Sequence, residues 1–224
     1  MVTQKVSLVL QTNMVEVIDI ADRIKAKAHA LYMQYGLRSV SMDDIAKELG
    51  VSKKTIYQSY ADKDALVDEV MLSVFEQDRI CCERDKANAE NAVHEIFLAI
   101  DFIVEMFKTM NPAVLYDLQK FHPASFERFV THKDNFLYNI ILQNLKKGIA
   151  EELYRTDLKI EILARFRVES MMLPFNPNFQ QKMKTNIAQI EEEITIHFLF
   201  GLVTPKGYKL ATKYQQQKTK SKNK

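Results

Sequence analysis

Residues 41–66 read SMDDIAKELGVSKKTIYQSYADKDAL, and this stretch decides the fold. It breaks into two short helices, a tight turn between them and the start of a third helix. Ser41 stands where an N-cap belongs, with Asp44 at the return position of a capping box. Ile45, Ala46 and Leu49 follow at helical spacing and make a buried stripe. Gly50 occupies the turn, where a positive φ costs little without a Cβ. Ser52 can cap the second helix, KKTIYQSY, whose Ile56 faces the core. Such a unit is a helix-turn-helix, and its second helix is built to enter a DNA major groove.

The outward chemistry of that second helix agrees. Lys53 and Lys54 open it, and Thr55, Tyr57, Gln58 and Tyr60 add hydroxyl and amide groups. Lys63 begins the next helix, and Ser41 and Ser52 stand at the two caps. Groups of this kind suit phosphate oxygens, which take most protein–DNA hydrogen bonds, and some suit base edges. A solvated helical surface would also be polar. Two tyrosines and a threonine beside the lysines, on so short a helix, favour DNA contact.

The order of residues adds a resemblance. Gly50-Val51-Ser52-Lys53-Lys54-Thr55-Ile56-Tyr57, then Tyr60, Lys63, Ala65 and Leu66, resembles the N-terminal domain of the tetracycline-repressor-like (TetR) family. Ala26 to Gly36, Val40-Ser41-Met42 and Ile45-Ala46 fit the same pattern. The motif spans about 50 residues; the rest matches only in length and helical character. Lys54 departs from the small residue often found there, so a relative's base preference does not transfer. The resemblance implies a homodimer on a palindromic operator in double-stranded DNA, with a small, largely apolar effector held in the C-terminal part.

Composition fits an all-α chain. It has 224 residues, 47% of them hydrophobic, only 5 Gly and 5 Pro, and no Trp beside 10 Met and 13 Phe. Few turn-formers argue against a β-rich fold. Net charge is +2, but residues 205–224 carry seven lysines and no acid, leaving the remainder at −5 (+2 less the seven). A near-neutral body suits a localised DNA footprint rather than general nucleic-acid coating. The Lys-rich end reads as a solvated, disordered tail, with a non-specific DNA arm as the other reading. Cys81 and Cys82, the only cysteines, are adjacent and poorly placed to bridge, which points to a reduced, cytoplasmic setting. No run approaches the ~20 apolar residues of a membrane span. The opening MVTQKVSLVLQTN lacks a recognisable cleavage site.

The expected organisation is a flexible arm over 1–14, or sequence upstream of a start at Met14, then a DNA-binding head over 15–62. A helical effector-binding and dimerisation body over 63–204 and the tail over 205–224 complete about nine helices. The first helix ends at Gly36. The fourth runs from about Asp62 to Arg84, and the polar run Glu83–Asn91 is the candidate hinge. Ala92–Met110 is apolar around most of its circumference, as a surrounded helix must be. Pro112 opens a helix to Phe121, and a long helix from Ala124 stops at Gly148. Two more, at about 157–173 and 181–203, are separated by Pro174-Phe175-Asn176-Pro177, and Gly201 and Pro205-Lys206-Gly207 close the last.

The last two long helices carry apolar residues on more than one side. Ile190, Ile194, Phe198 and Leu202, with Leu163 and Phe166, are the candidate dimer surface, buried as a four-helix bundle between two copies. Aromatic and Met residues gather on the middle helices. Phe97, Phe102, Phe107 and Tyr116 are candidate effector contacts, as are Phe121, Phe136, Met171 and Phe175. His94, His122, Asn135 or Gln143 would add polar groups. An aromatic stripe at this spacing is equally what a core looks like, so the pocket itself rests on the resemblance.

Catalysis has little support. There is no P-loop, dinucleotide turn or nucleophile elbow. Glu90/His94 and Glu193/His197 are four apart, whereas the di-iron bundle motif needs three. Neither a cofactor nor a metal is expected. The sequence thus points to a ligand-responsive regulator, with repressor favoured. Two alternatives remain: a DNA-binding architectural or cell-division factor with the same head, and an interaction protein that has lost DNA binding.

Overall fold

The structure is a computed structural model and describes residues 19–183 and 185–222; the expected arm lies outside them. Helix α1 spans Ile20–Tyr35, α2 Met42–Leu49, α3 Lys53–Ser59 and α4 Lys63–Asn88. Local chemistry punctuates each. Ser41 Oγ accepts from the Asp44 amide at 3.2 Å and Asp44 Oδ2 accepts from the Ser41 amide at 2.9 Å, closing the capping box. Gly50 adopts φ 66°, ψ 30° and ends α2. Ser52 and Asp62 cap α3 and α4 through the Thr55 and Ala65 amides.

Burial locks these helices together. Ile24, Ala28 and Tyr32 of α1 meet Ile45, Ala46 and Ile56 in one buried cluster, closed from behind by Leu66, Val67 and Val70 of α4. Each fully buried Ile or Leu contributes ~1.5–3 kcal/mol, against ~1 kcal/mol for a cap. The caps therefore set boundaries, and the stripe sets the packing.

The body continues with α5 (Ala92–Phe107), α6 (Ala113–Phe121) and α7 (Pro123–Thr131). Helix α7 passes through a π-helical turn, His132–Leu137, into α8 (Tyr138–Ala150). Then come α9 (Ile160–Ser170), a 3₁₀ turn at Leu173–Phe175, α10 (Pro177–Lys182), α11 (Ile187–Leu202) and α12 (Pro205–Lys222). Proline stands at the first position of α7, α10 and α12, where its missing N–H costs nothing. Helix α5 packs against α4, α8, α11 and α12 at once, as its nearly all-round apolar surface requires. Val114 and Leu118 of α6 belong to the buried cluster of the head, so head and body share a core there.

Several boundaries differ from the sequence reading. Helix α4 continues through most of the expected hinge, leaving only Ala89-Glu90-Asn91 as the break. Gly148 does not stop a helix. It lies inside α8, where an added Cβ would fall 2.0 Å from the Tyr154 ring, so its small size makes room for that ring. Gly201 lies within α11, and Pro205 starts a helix instead of ending one. The end expected to be disordered is helical as far as Lys222: α12 folds onto α5. Ala211 is buried there, the Tyr214 hydroxyl donates to Glu90 at 2.9 Å, and Lys218 pairs with Asp101 and Glu192. One of its lysines, Lys218, thus finds acids on α5 and α11, while Lys206 reaches Glu152 beyond α8. Among the described residues β structure is limited to one isolated bridge, Tyr154 with Val203.

Candidate functional site

Helix α3 has one outward face. Ser52, Lys53, Lys54, Tyr57 and Gln58 are exposed, while Ile56 on the opposite side is fully buried. Lys54 and Gln58 are engaged by no side chain among the described residues, and Tyr57 is 51% exposed. Lys53 reaches back to Asp43 of α2, whose carboxylate raises the lysine's pKa. An exposed pair of that kind contributes little in water, so a phosphate can displace it. The hydroxyls of Ser41, Ser52 and Thr55 are used in capping: Ser41 donates to Asp44 at 2.6 Å, and Ser52 and Thr55 lie 2.9 Å apart. They stand at the rim of the face and fix its geometry.

Two residues expected on DNA are turned inward. Tyr60 is only 9% exposed and donates its hydroxyl to the Ala21 carbonyl at 3.1 Å, tying the end of α3 to α1. Lys63 donates to the Leu37 carbonyl and lies 5.9 Å from the centre of the Tyr32 ring. Burial lowers its pKa, against the raising effect of Asp117, Asp64 and Asp44. Both residues brace the head, because each polar end is tied to a backbone carbonyl of a neighbouring segment.

The body grips this head at specific points. Asp117 of α6 accepts the Arg38 amide at 2.9 Å, in the turn between α1 and α2. Gly36 in that turn has φ 87°, and a Cβ there would meet Asp117 Oδ2 at 3.2 Å. The Asn111 amide donates to the Met33 carbonyl at 2.7 Å. On α4, Asp64 meets His122, Asp68 meets Ser125 and Arg128, and Asp78 meets His132 at 2.9 Å.

Behind the head lies a cavity of about 740 Å³. Its walls are mostly apolar. Phe102, Ile103, Met106 and Phe107 come from α5, Met71 and Phe75 from α4, and Met171, Met172 and Phe175 from the segment after α9. Its near end is formed by His29, Ala30, Met33 and Gln34 of α1, so the head helix itself is part of the wall. Of the residues expected to line a pocket, Phe102, Phe107, Met171 and Phe175 do. Four do not. Phe97 is buried in the second core with Ile100 and Leu199. Tyr116 is 44% exposed beside Lys120, and Phe121 lies under the Arg38 guanidinium. Phe136 stacks on His132 from outside the wall. The polar candidates His94, His122, Asn135 and Gln143 are also elsewhere: His94 stacks on Tyr214, and Gln143 accepts from Lys86.

Known proteins share this geometry. A family model described as "Bacterial regulatory proteins, tetR family" matches residues 19–70, which hold α1 to α3 and the start of α4. In its head, the chain is similar to the TetR family. The HTH-type transcriptional regulator YvaF of Bacillus subtilis is 25% identical over 81% of this chain and 94% of its own length. The HTH-type transcriptional repressor KstR2 of Mycobacterium tuberculosis is 26% identical over 62% of this chain and 71% of its own. Among solved structures, a TetR-family regulator from Agrobacterium tumefaciens superposes with a TM-score of 0.68 at 17% identity, covering 82% of this chain and 97% of that one. The ketosteroid regulator KstR2 superposes at 0.59, also at 17% identity, over 84% and 97%. These structures share the fold.

The body also presents an apolar face with no partner among the described residues. Ile162 and Phe166 on α9 are 68% and 56% exposed, and Phe166 lies 6.4 Å from Phe198 of α11. Gly201 of α11 has open space around its Cβ position. Of the expected dimer residues, Ile190, Phe198 and Leu202 are buried within the subunit's own core. Leu163 and Ile194 are half-buried, and Phe166 alone is freely exposed. Ile162 had no place in the sequence reading, because the stripe there was drawn through Leu163 and Phe166. The polar cavity residues were missed as well: Asp78, Asp85, Glu95, His132, Lys133 and Arg167 come from four separate segments and share no local spacing.

Proposed function

We infer that the chain is a transcriptional repressor that binds DNA as a homodimer, loosened or tightened on its operator by a small, largely apolar effector in the cavity. The observation that carries this is the unengaged outer face of α3. Lys54 and Gln58 offer an ammonium and an amide to a groove, with Tyr57, Lys53, Ser52 and Thr55 placed for phosphates. The head extends to about residue 62 and the effector-binding body to about 204. A TetR-family regulator of this kind works in the cytoplasm; among the described residues no helix is long and apolar enough to cross a membrane.

One recognition helix reads too few bases, so the reading requires two copies with half-sites ~34–36 Å apart or a multiple of that. The exposed Ile162–Phe166 face of α9 is where the copies would join. An effector shifts DNA affinity only by binding one spacing of the two heads better than the other. A constitutive architectural factor would have no use for a large cavity walled by its own reading head, which favours the regulator. Selection of bound sequences from random DNA tests the proposal. Enrichment of one palindrome, also present in the adjoining intergenic region, is expected. Recovery of unrelated sequences, or of none at low ionic strength, would overturn it.

A further inference from the structure

The ligand's charge class is written in how the cavity's ions are paired. Five residues with formal charge line it: Asp78, Asp85, Glu95, Lys133 and Arg167. Each already has a partner: four have an oppositely charged one, and Asp78 has the His132 imidazole. Asp78 pairs with His132, Asp85 with Arg84 at 2.8 Å, and Glu95 with Lys147 at 2.9 Å. Lys133 is held between Asp134 and Glu169 at 2.8 and 2.9 Å. Arg167, 5% exposed, pairs with Glu191 and also donates to Thr195 at 2.7 Å. The Cys82 thiol, pushed up to about 12 by burial and neighbouring carboxylates, stays neutral.

A charged ligand group entering here would have to break one of these pairs, and breaking a buried pair leaves an uncompensated charge behind. An anion would have to draw Arg167 from Glu191 or Lys133 from its two carboxylates. A cation would have to draw Glu95 from Lys147, or Asp78 from His132. Unengaged polar capacity lies instead in neutral groups at one end. His29 and Gln34 of α1 and Thr109 after α5 line the cavity at a solvent-exposed end and have no bonded protein partner among the described residues. The bond between the Asn111 amide and the Met33 carbonyl holds their two segments side by side. Burial lowers the pKa of His29, so its imidazole is neutral at pH 7 and can donate from one nitrogen and accept at the other.

We propose that the cavity selects an uncharged, bulky apolar molecule bearing a hydroxyl or carbonyl at the end that meets His29 of the DNA-binding head. This rests on the effector reading above and narrows it to one chemical class. It also makes α1 the part of the head that senses occupancy, because the ligand's one polar end would bond to it directly.

Fluorescence titration with four probes on one skeleton tests it: pyrenebutanol, pyrenebutyrate, pyrenebutyltrimethylammonium and butylpyrene, at pH 7 with the full chain. The alcohol should bind at least about tenfold more tightly than either ion. Ile103→Trp, which fills the cavity, should abolish binding of the alcohol. His29→Ala should weaken pyrenebutanol by about two- to tenfold, the worth of one neutral hydrogen bond, and leave butylpyrene unchanged. If either ion binds as tightly as the alcohol, the charge argument is overturned while the cavity remains a ligand site. If no probe binds the folded protein, the ligand-responsive reading itself falls, and this inference with it.

Discussion

At the scale of single residues, partners decide roles. Lys54 and Gln58 stand on the outer face of α3 with nothing holding them, so their amine and amide are free for base edges. Replacing either with alanine should change base preference at one or two operator positions, by ~1–3 kcal/mol for each good base pairing removed. Tyr57, equally exposed but longer and phenolic, is suited to phosphate. Tyr57→Phe should weaken all sequences alike; competition binding against single-base operator variants separates the two patterns. Tyr60 contrasts with both. Tyr60→Phe removes the hydrogen bond to Ala21, so it should cost ~1 kcal/mol of stability in urea unfolding and leave base preference unchanged. Sequence alone cannot sort such residues. Tyr57 and Tyr60 are both tyrosines three apart on one short helix, and only the path of α1 above them shows that one hydroxyl is already bonded.

At the scale of elements, the legible parts were those fixed by neighbours in sequence. The capping box of Ser41 and Asp44, the αL conformation of Gly50 and the Ser52 cap are all set within three residues, and all three stand as the sequence reads. Elements defined by distant partners were misread. Helix α12 is polar along its length and looks disordered until Lys218 meets Asp101 and Glu192. Gly148 looks like a helix stop until Tyr154 arrives from outside the helix. That ring is fully buried, and its hydroxyl lies 3.1 Å from both the Ala92 carbonyl oxygen and Asn144 Oδ1, sharing its one proton between them, so it cannot swing away cheaply. Gly148→Ala should therefore destabilise the body by ~1–3 kcal/mol or more through overpacking, read as a lowered denaturation midpoint. Gly201→Ala, whose Cβ would meet nothing within 4 Å, is the control: it should leave the midpoint unchanged or raise it, since alanine favours helix by ~1 kcal/mol. Equal losses in both variants would show that glycine's backbone, and not the space beside it, is what α8 needs.

At the scale of the whole molecule, the exposed face of α9 has to be reconciled with a regulator that reads two half-sites. Ile162 and Phe166 lie one turn apart with more than half of each side chain in water, an arrangement that favours burial against a second copy. Because neither side chain is needed for the subunit's own core, Phe166→Asp should leave the unfolding midpoint measured at low protein concentration close to that of the wild type. Sedimentation velocity should instead show a monomer where the wild type is a dimer. The consequence for DNA follows from effective concentration. A dimer brings its second head to the operator as an intramolecular event, and losing that linkage costs ~10²–10⁴ in affinity without altering how α3 meets any base. The variant should accordingly bind a full palindrome no better than a single half-site, while keeping the wild-type ranking among half-site sequences. A variant that stays dimeric would move the interface elsewhere on the body. One that is monomeric yet still prefers the palindrome by a large factor would mean that the two heads are coupled through the DNA and not through α9.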